Sequence, residues 1–201
     1  MSKVYCYYSF LLMNKWQEGK VEKNLNEKDA NNTLKYLELS TKYNPNNYKA
    51  WHYYGLLNYK IFEFVTKSNI NFAINAIEGF TKSICIGGKN ISKVLQDLLL
   101  LLNIWFKVGT EESIDKLMNE KIDIISLDSW FLVIPQLLAR INVTNPLIRK
   151  TIIFLLKKIG LKNPRILTYP LTVLQNSKSK IRAETSSLIL KEIKQKNEKS
   201  T

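Results

Sequence analysis

The sequence predicts an all-α protein, an α-solenoid of antiparallel helical hairpins. Three observations lead there. Apolar residues recur at three- and four-residue spacing in one segment after another, and no stretch alternates as a half-buried strand does. Stop and start signals punctuate these segments at short intervals: Asn44-Pro45-Asn46-Asn47, Gly87-Gly88, Gly109, Asn145-Pro146 and Asn163-Pro164. Two apolar stretches also carry a central proline, Pro135 in SWFLVIPQLLAR from Ser129 and Pro170 in YPLTVL from Tyr169. A proline inside a helix costs roughly 3 kcal/mol, which neighbouring packing has to offset. Such helices recurring along a chain suit stacked repeats.

The elements follow in order. Val4 to Met13, after Lys3, has the length of a secretory leader, but Asn14, Lys15, Trp16 and Gln17 follow in place of a small-residue cleavage site, so an amphipathic first helix is expected. Asn14 to Lys28 reads as a polar connection. Asp29 then caps a second helix with Leu34, Leu37 and Tyr43 on its apolar face, ended by the Asn44–Asn47 turn. The spacing Trp51-x-x-Tyr54-Gly55-x-x-Asn58 follows the opening of a tetratricopeptide helix, with Gly55 admitting a partner helix closely and Trp51 and Tyr54 filling the gap. Beyond Ser68 the helices lengthen. Phe72, Ala76, Phe80 and Ile84 share one face up to Gly87-Gly88. A helix from Asn90 to Val108 stops at Gly109, a short amphipathic piece covers Glu111 to Asn119, and Ser126 or Asp128 caps the Pro135 helix. Asn145-Pro146 opens a helix whose stripe is Ile148, Ile152, Leu155, Leu156 and Ile159, with Gly160 as its stop. Asn163-Pro164 opens the Pro170 helix, and Ile181, Thr185, Leu188 and Ile189 give its partner a buried side. Residues 1–197 form one domain on this reading, tetratricopeptide-like over 1–67 and HEAT-like over 68–197, with a polar tail at 198–201. Trp51, Gly55, Trp105, Trp130, Pro135 and Pro170 are its expected structural residues.

A chain of 201 residues, 45% hydrophobic, can bury a continuous core. The apolar run from Leu98 to Phe106 falls short of the roughly 20 residues that a membrane crossing needs. Cys6 and Cys85 are far apart and read as two small buried residues in a reducing compartment. The net charge of +13 is concentrated at one end: residues 144–201 carry +10 of it. That end could hold an anionic partner through Lys150, Lys157 and Lys158. Only four of the thirty basic residues are arginine, the side chain that grips phosphates and bases by its fork, which argues against a nucleic-acid site.

Catalysis finds no footing. The single histidine, His52, lies between Trp51 and Tyr53 in an aromatic helix, where a packed or surface-edge role is expected. Gly87-Gly88-Lys89 lacks the spacing of a phosphate-binding loop, and Glu111, Glu112 and Asp115 sit at a helix start, where the dipole favours acids without chemistry. The chain reads as no enzyme by itself, with no catalytic residues, no metal site and no cofactor of its own.

Five words in order carry a family resemblance: YKAWHYYGLLNY from Tyr48, IEGFTKSICI from Ile77, LLNIWFKVG from Leu101, SLDSWFLVIPQLLARI from Ser126 and ILTYPLTVL from Ile166. From about Tyr7 to about Ile193 the chain resembles the C-terminal part of the FAT domain of target-of-rapamycin (TOR) kinases, in the phosphatidylinositol 3-kinase-related family. The resemblance implies a noncatalytic scaffold, a clamp of tetratricopeptide and HEAT-type repeats that wraps and restrains a serine/threonine kinase unit. Its implied partners are the kinase and rapamycin-binding portions of a TOR-like protein, in cis or in trans, and other subunits of a TOR complex. The implied location is the cytoplasm, with endomembrane association through a complex. Some members of the family bind inositol hexakisphosphate in a basic pocket, and one of its lysines falls at Lys49; two further basic positions read Leu12 and Tyr8 here. The alternative is a free-standing helical-repeat adaptor that holds an acidic protein, a nucleic acid or an inositol phosphate by its basic C-terminal quarter.

Overall fold

A computed structural model describes residues 1–17, 27–64, 69–88 and 90–198, and among them there are eleven α-helices and no strand. The chain divides into two compact units, residues 1–104 and 105–201.

The first unit holds α1 (Ser2–Gln17), α2 (Glu27–Tyr43), α3 (Tyr48–Phe64), α4 (Ile70–Gly87) and the larger part of α5 (Ile91–Val108). The expected Asn14–Lys28 connection is shorter than its composition suggested: Asn14 to Gln17 continue α1, α2 begins at Glu27, and residues 18–26 lie outside the described residues. Asp29 consequently falls inside α2 instead of capping it. The Asn44–Asn47 turn stands as expected, and the Trp51 indole donates to the Pro45 carbonyl at 2.8 Å. Trp51 is thus half-buried, a clasp on the turn more than a core filler. Tyr43 is exposed, whereas Leu37 is buried in a cluster with Met13, Ala30, Leu57 and Ile61.

Gly55 and Gly79 explain how α3 meets α4. A Cβ placed on Gly79 would lie 2.7 Å from the Cα of Gly55, and one on Gly55 would lie 3.1 Å from the backbone nitrogen of Phe80. Backbone meets backbone there, which only glycine permits without displacement. Ala76, Ile77, Phe80 and Ile84 are buried, and Phe72 packs at the edge of the core. The Asn69 side chain caps α4 by accepting from the Asn71 amide, and the helix stops at Gly87 as expected.

The second unit holds the end of α5, then α6 (Glu112–Ile124), α7 (Leu127–Phe131), α8 (Ile134–Ala139), α9 (Pro146–Lys162), α10 (Pro164–Gln175) and α11 (Lys180–Glu198). The expected Pro135 helix is two helices. Leu132 and Val133 break it, so Pro135 stands in the first turn of α8, where the missing amide proton has no helical acceptor to lose. The chain thereby escapes the interior-proline penalty. Only Pro170 stays inside a helix, and the Ser126 side chain caps α7 by accepting from the Asp128 amide. The piece begun at Glu111 runs to Ile124, well past Asn119, because Met118 and Ile122 are buried and hold it in register.

Helix α9 is the centre of this unit, packed against α6, α7, α8, α10 and α11. Its stripe Ile148, Ile152, Leu155, Leu156 and Ile159 is buried as expected, and Asn145 caps it by accepting from the amides of Leu147 and Ile148. Gly160 does not stop it. That glycine is buried beneath Ile193 of α11, which lets the two helices close together while α9 continues to Lys162. The buried side of α11 is Ser186, Ile189, Leu190 and Ile193, whereas Ile181 and Leu188 are exposed and Thr185 lies between. The helix runs on past Lys191 as far as Glu198, the first residue of the expected polar tail.

Trp105 and Trp130 are fully buried. In chemical denaturation, Trp130→Ala is expected to lower stability by about 3–5 kcal/mol, the range for emptying a buried large aromatic site; an unmoved midpoint would contradict its place in the core. Gly79→Ala is expected to cost about 1–3 kcal/mol through overpacking, whereas the same change at exposed Gly88, where an added Cβ would touch nothing closer than 4.0 Å, should be several-fold milder.

Candidate functional site

Two lysines, Lys3 of α1 and Lys49 of α3, line a groove of about 770 Å³ in the first unit. The groove forms because α1 runs beside the turn that starts α3, and polar bonds fix this arrangement. The Ser2 hydroxyl donates to the Ser40 carbonyl at 2.8 Å, and the Ser40 hydroxyl donates back to the Ser2 carbonyl at 2.9 Å. The Tyr5 ring stacks on Tyr36 and Tyr43. Asn44, Asn46 and Asn47 from the turn also line the groove, so the amide-rich sequence read as a helix stop supplies donors as well.

The rest of the lining is aromatic and apolar. Phe10 and Tyr53 face each other with ring centroids 5.4 Å apart, and Tyr7 and Cys6 complete the wall. Burial pushes the Cys6 thiol above its ordinary value, with the Lys49 charge acting the other way. The Tyr53 hydroxyl is likewise raised, first by burial and then by Cys6 and Tyr48. Tyr48 also lines the groove; its hydroxyl accepts from Lys93 Nζ at 2.6 Å, and the same ammonium sits 4.9 Å from its ring. Tyr8 packs edge-on against Tyr36, and Leu12 is half-buried. Neither adds a cation to Lys49. Lys3 does, and sequence reasoning passed over it, seeing only the residue ahead of an apolar run.

His52 has a partner that the sequence concealed. Its Nδ1 lies 2.6 Å from the Asp97 carboxylate on α5, and Asp97 is 1% exposed. The pair ties α3 to α5 and satisfies a buried charge that would otherwise be costly. The signal was a lone aspartate in the apolar run VLQDLLLLL, forty-five residues from His52. Among the described residues no three potential metal ligands cluster, and no helix is long and apolar enough to cross a membrane. Cys6 is buried but Cys85 is exposed, contrary to the expectation of two buried thiols.

The basic C-terminal quarter is more neutralised than its charge suggests. Lys157 pairs with Glu192 at 2.6 Å, Lys158 with Asp123, and Lys162 with Asp128 at 2.8 Å. Of the three lysines singled out for an anionic partner, Lys157 and Lys158 are engaged and Lys150 is exposed outside these pairs. Lys158 also lies 5.1 Å from the ring of Phe154. The acids Asp123 and Asp128 come from a segment more than thirty residues earlier, which composition along the chain could not pair with them.

Eleven α-helices among the described residues, packed against their neighbours with a glycine-to-glycine crossing between α3 and α4, define a helical-repeat protein. Comparison with known families agrees. The profile of the FAT domain matches residues 7–103, and that of the HEAT repeats of ATR-like serine/threonine-protein kinases matches residues 113–201. The serine/threonine-protein kinase mTor of Drosophila melanogaster is 31% identical over 207 residues, covering 90% of this chain and 8% of that protein. The serine/threonine-protein kinase tor1 of Schizosaccharomyces pombe is 31% identical over 176 residues, 84% of this chain and 7% of that protein. The serine/threonine-protein kinase TOR of Arabidopsis thaliana is 28% identical over 190 residues, 92% of this chain and 8% of that protein. These matches are consistent with a FAT segment of a TOR-type kinase, and the chain spans less than a tenth of the length of these curated relatives.

Proposed function

We propose that this chain is a noncatalytic scaffold segment that clamps and restrains the kinase unit of a TOR-type serine/threonine kinase. The observation that carries the reading is the alignment of some nine-tenths of the chain with a TOR kinase, in the order FAT domain then HEAT repeats. The physics suits a clamp. Successive hairpins bury their apolar stripes against one another and leave polar faces for a neighbour, as repeat proteins do. The partners on this reading are the kinase and rapamycin-binding portions of a TOR-like protein and other subunits of its complex, and the location is cytoplasmic, reaching endomembranes through that complex.

A second reading concerns the Lys49 groove. It is favoured by the convergence of Lys3, Lys49 and three asparagine side chains beside the first turn of α3, a setting in which donors and a helix N-terminus attract phosphate. On this reading the groove holds inositol hexakisphosphate. The free-standing adaptor draws less support, since ion pairs already occupy Lys157 and Lys158.

The clamp is tested by immobilising the chain and passing over it the kinase and rapamycin-binding portion of the fly TOR protein. Retention, with phosphorylation of a substrate peptide slowed several-fold, is the expected result; absence of retention would remove the proposal. For the groove, calorimetry with inositol hexakisphosphate should give heat that Lys49→Ala reduces by roughly tenfold in affinity, the loss of about one charge-assisted contact. No heat, or heat indifferent to Lys49→Ala and Lys3→Ala, would exclude it.

A further inference from the structure

A second groove, of about 390 Å³, lies between α8 and α10 in the second unit, and its chemistry differs from that of the Lys49 groove. Its floor is apolar: Pro135 and Leu138 come from α8, and Pro170 and Val173 from α10. Tyr169 at its edge is 77% exposed and Val173 is 53% exposed. Contiguous apolar groups left open in this way mark a surface that another apolar surface fits. Phosphate-rich ligands have little to gain on such a floor, whereas leucine-sized side chains do.

Charge selects among apolar partners. Arg182 of α11 also lines the groove. Its Nη2 donates to the carbonyl of Ala139 at 3.3 Å and to Oδ1 of Asn142 at 3.1 Å, both neutral acceptors, and its Nε is buried without one. Arg140, the residue after Ala139 and the C-cap of α8, sits 5.3 Å from the ring of Phe106. No carboxylate among the described residues pairs with either guanidinium, although in the same unit Lys157, Lys158 and Lys162 each have one. Arg182 therefore lines the apolar trough without a carboxylate partner among the described residues. Its remaining nitrogen, Nη1, can donate a charge-assisted hydrogen bond to a partner's carboxylate.

We infer that the α8–α10 groove docks a short amphipathic helix of a partner protein, its apolar stripe lying on Pro135, Leu138, Pro170 and Val173 and an acidic side chain pairing with Arg182. A groove bounded by two helices accepts side chains at i, i+3, i+4 and i+7 of a third, the spacing by which amphipathic helices are read. This goes beyond the clamp reading and does not depend on it, because the site is defined by its own floor and charge.

The full chain is titrated into dye-labelled synthetic peptides of about 15 residues and followed by fluorescence anisotropy, each with leucine at i, i+3, i+4 and i+7. One has glutamate at its polar positions, one has lysine, and one has glutamate with the leucines replaced by glutamine. The glutamate–leucine peptide is expected to bind at least about tenfold more tightly than either of the others, since it alone satisfies both the floor and the arginine. Val173→Arg should abolish binding; it fills the groove while raising the positive charge, so loss cannot be assigned to weaker overall attraction. Arg182→Gln should weaken binding by about tenfold. Circular dichroism melting confirms that each variant is folded, and Val173, being half exposed, tolerates exchange even if Arg182 does not. The inference is overturned if no peptide binds, if the glutamine-substituted peptide binds equally well, or if Val173→Arg leaves affinity unchanged.

Discussion

A helix with one apolar stripe is stable in water only if a second helix comes near enough to cover it, and this requirement shapes every part of the chain. A close approach occurs at Gly55 and Gly79, where α3 and α4 touch through their backbones and Phe80 fills the space beside them. The register of that contact aligns Ala76, Ile77 and Ile84 in the first unit's core and leaves the N-terminal end of α3 beside α1. In the second unit α9 meets the same requirement by packing on five helices, with Gly160 admitting Ile193 of α11.

Polar side chains in this structure mostly serve the packing. Ser2 and Ser40 exchange hydrogen bonds between α1 and α2, His52 and Asp97 join α3 to α5, and Arg182 satisfies the last carbonyl of α8. These contacts lock helix ends and buried charges into place. The described surface carries a groove lined by lysines and asparagines and another that is apolar with Arg182 on its lining.

Much of the fold was legible because periodicity and punctuation are local. The stripe from Ile148 to Ile159, the Asn145 cap, the stop at Gly87 and the close approach at Gly55 all follow from residues within a few turns of one another. Where local signals competed, sequence reasoning went astray. SWFLVIPQLLAR has the apolar content of one helix, yet Pro135 is better placed at a helix start, so the chain breaks at Leu132 and Val133. Gly160 has the look of a stop, but an overlying isoleucine makes a small residue useful inside the helix. Ile181 and Leu188 were assigned inward by spacing alone, and α11 turns a different face, Ser186 with Ile189, Leu190 and Ile193, to its neighbours.

By itself the sequence determined the class of fold and its resemblance to FAT domains, because each is written in spacings that span at most a few tens of residues. Only the tertiary structure decided which charges meet. Lys157 and Lys158 were drawn into ion pairs with Glu192 and Asp123, Lys3 was brought to Lys49, and Arg182 was set at the end of an apolar groove beside Pro135. The reason is one of range: a hydrophobic period is fixed by the geometry of a single helix, whereas an ion pair or a groove depends on how separate helices pack, and no interval along the chain encodes that distance.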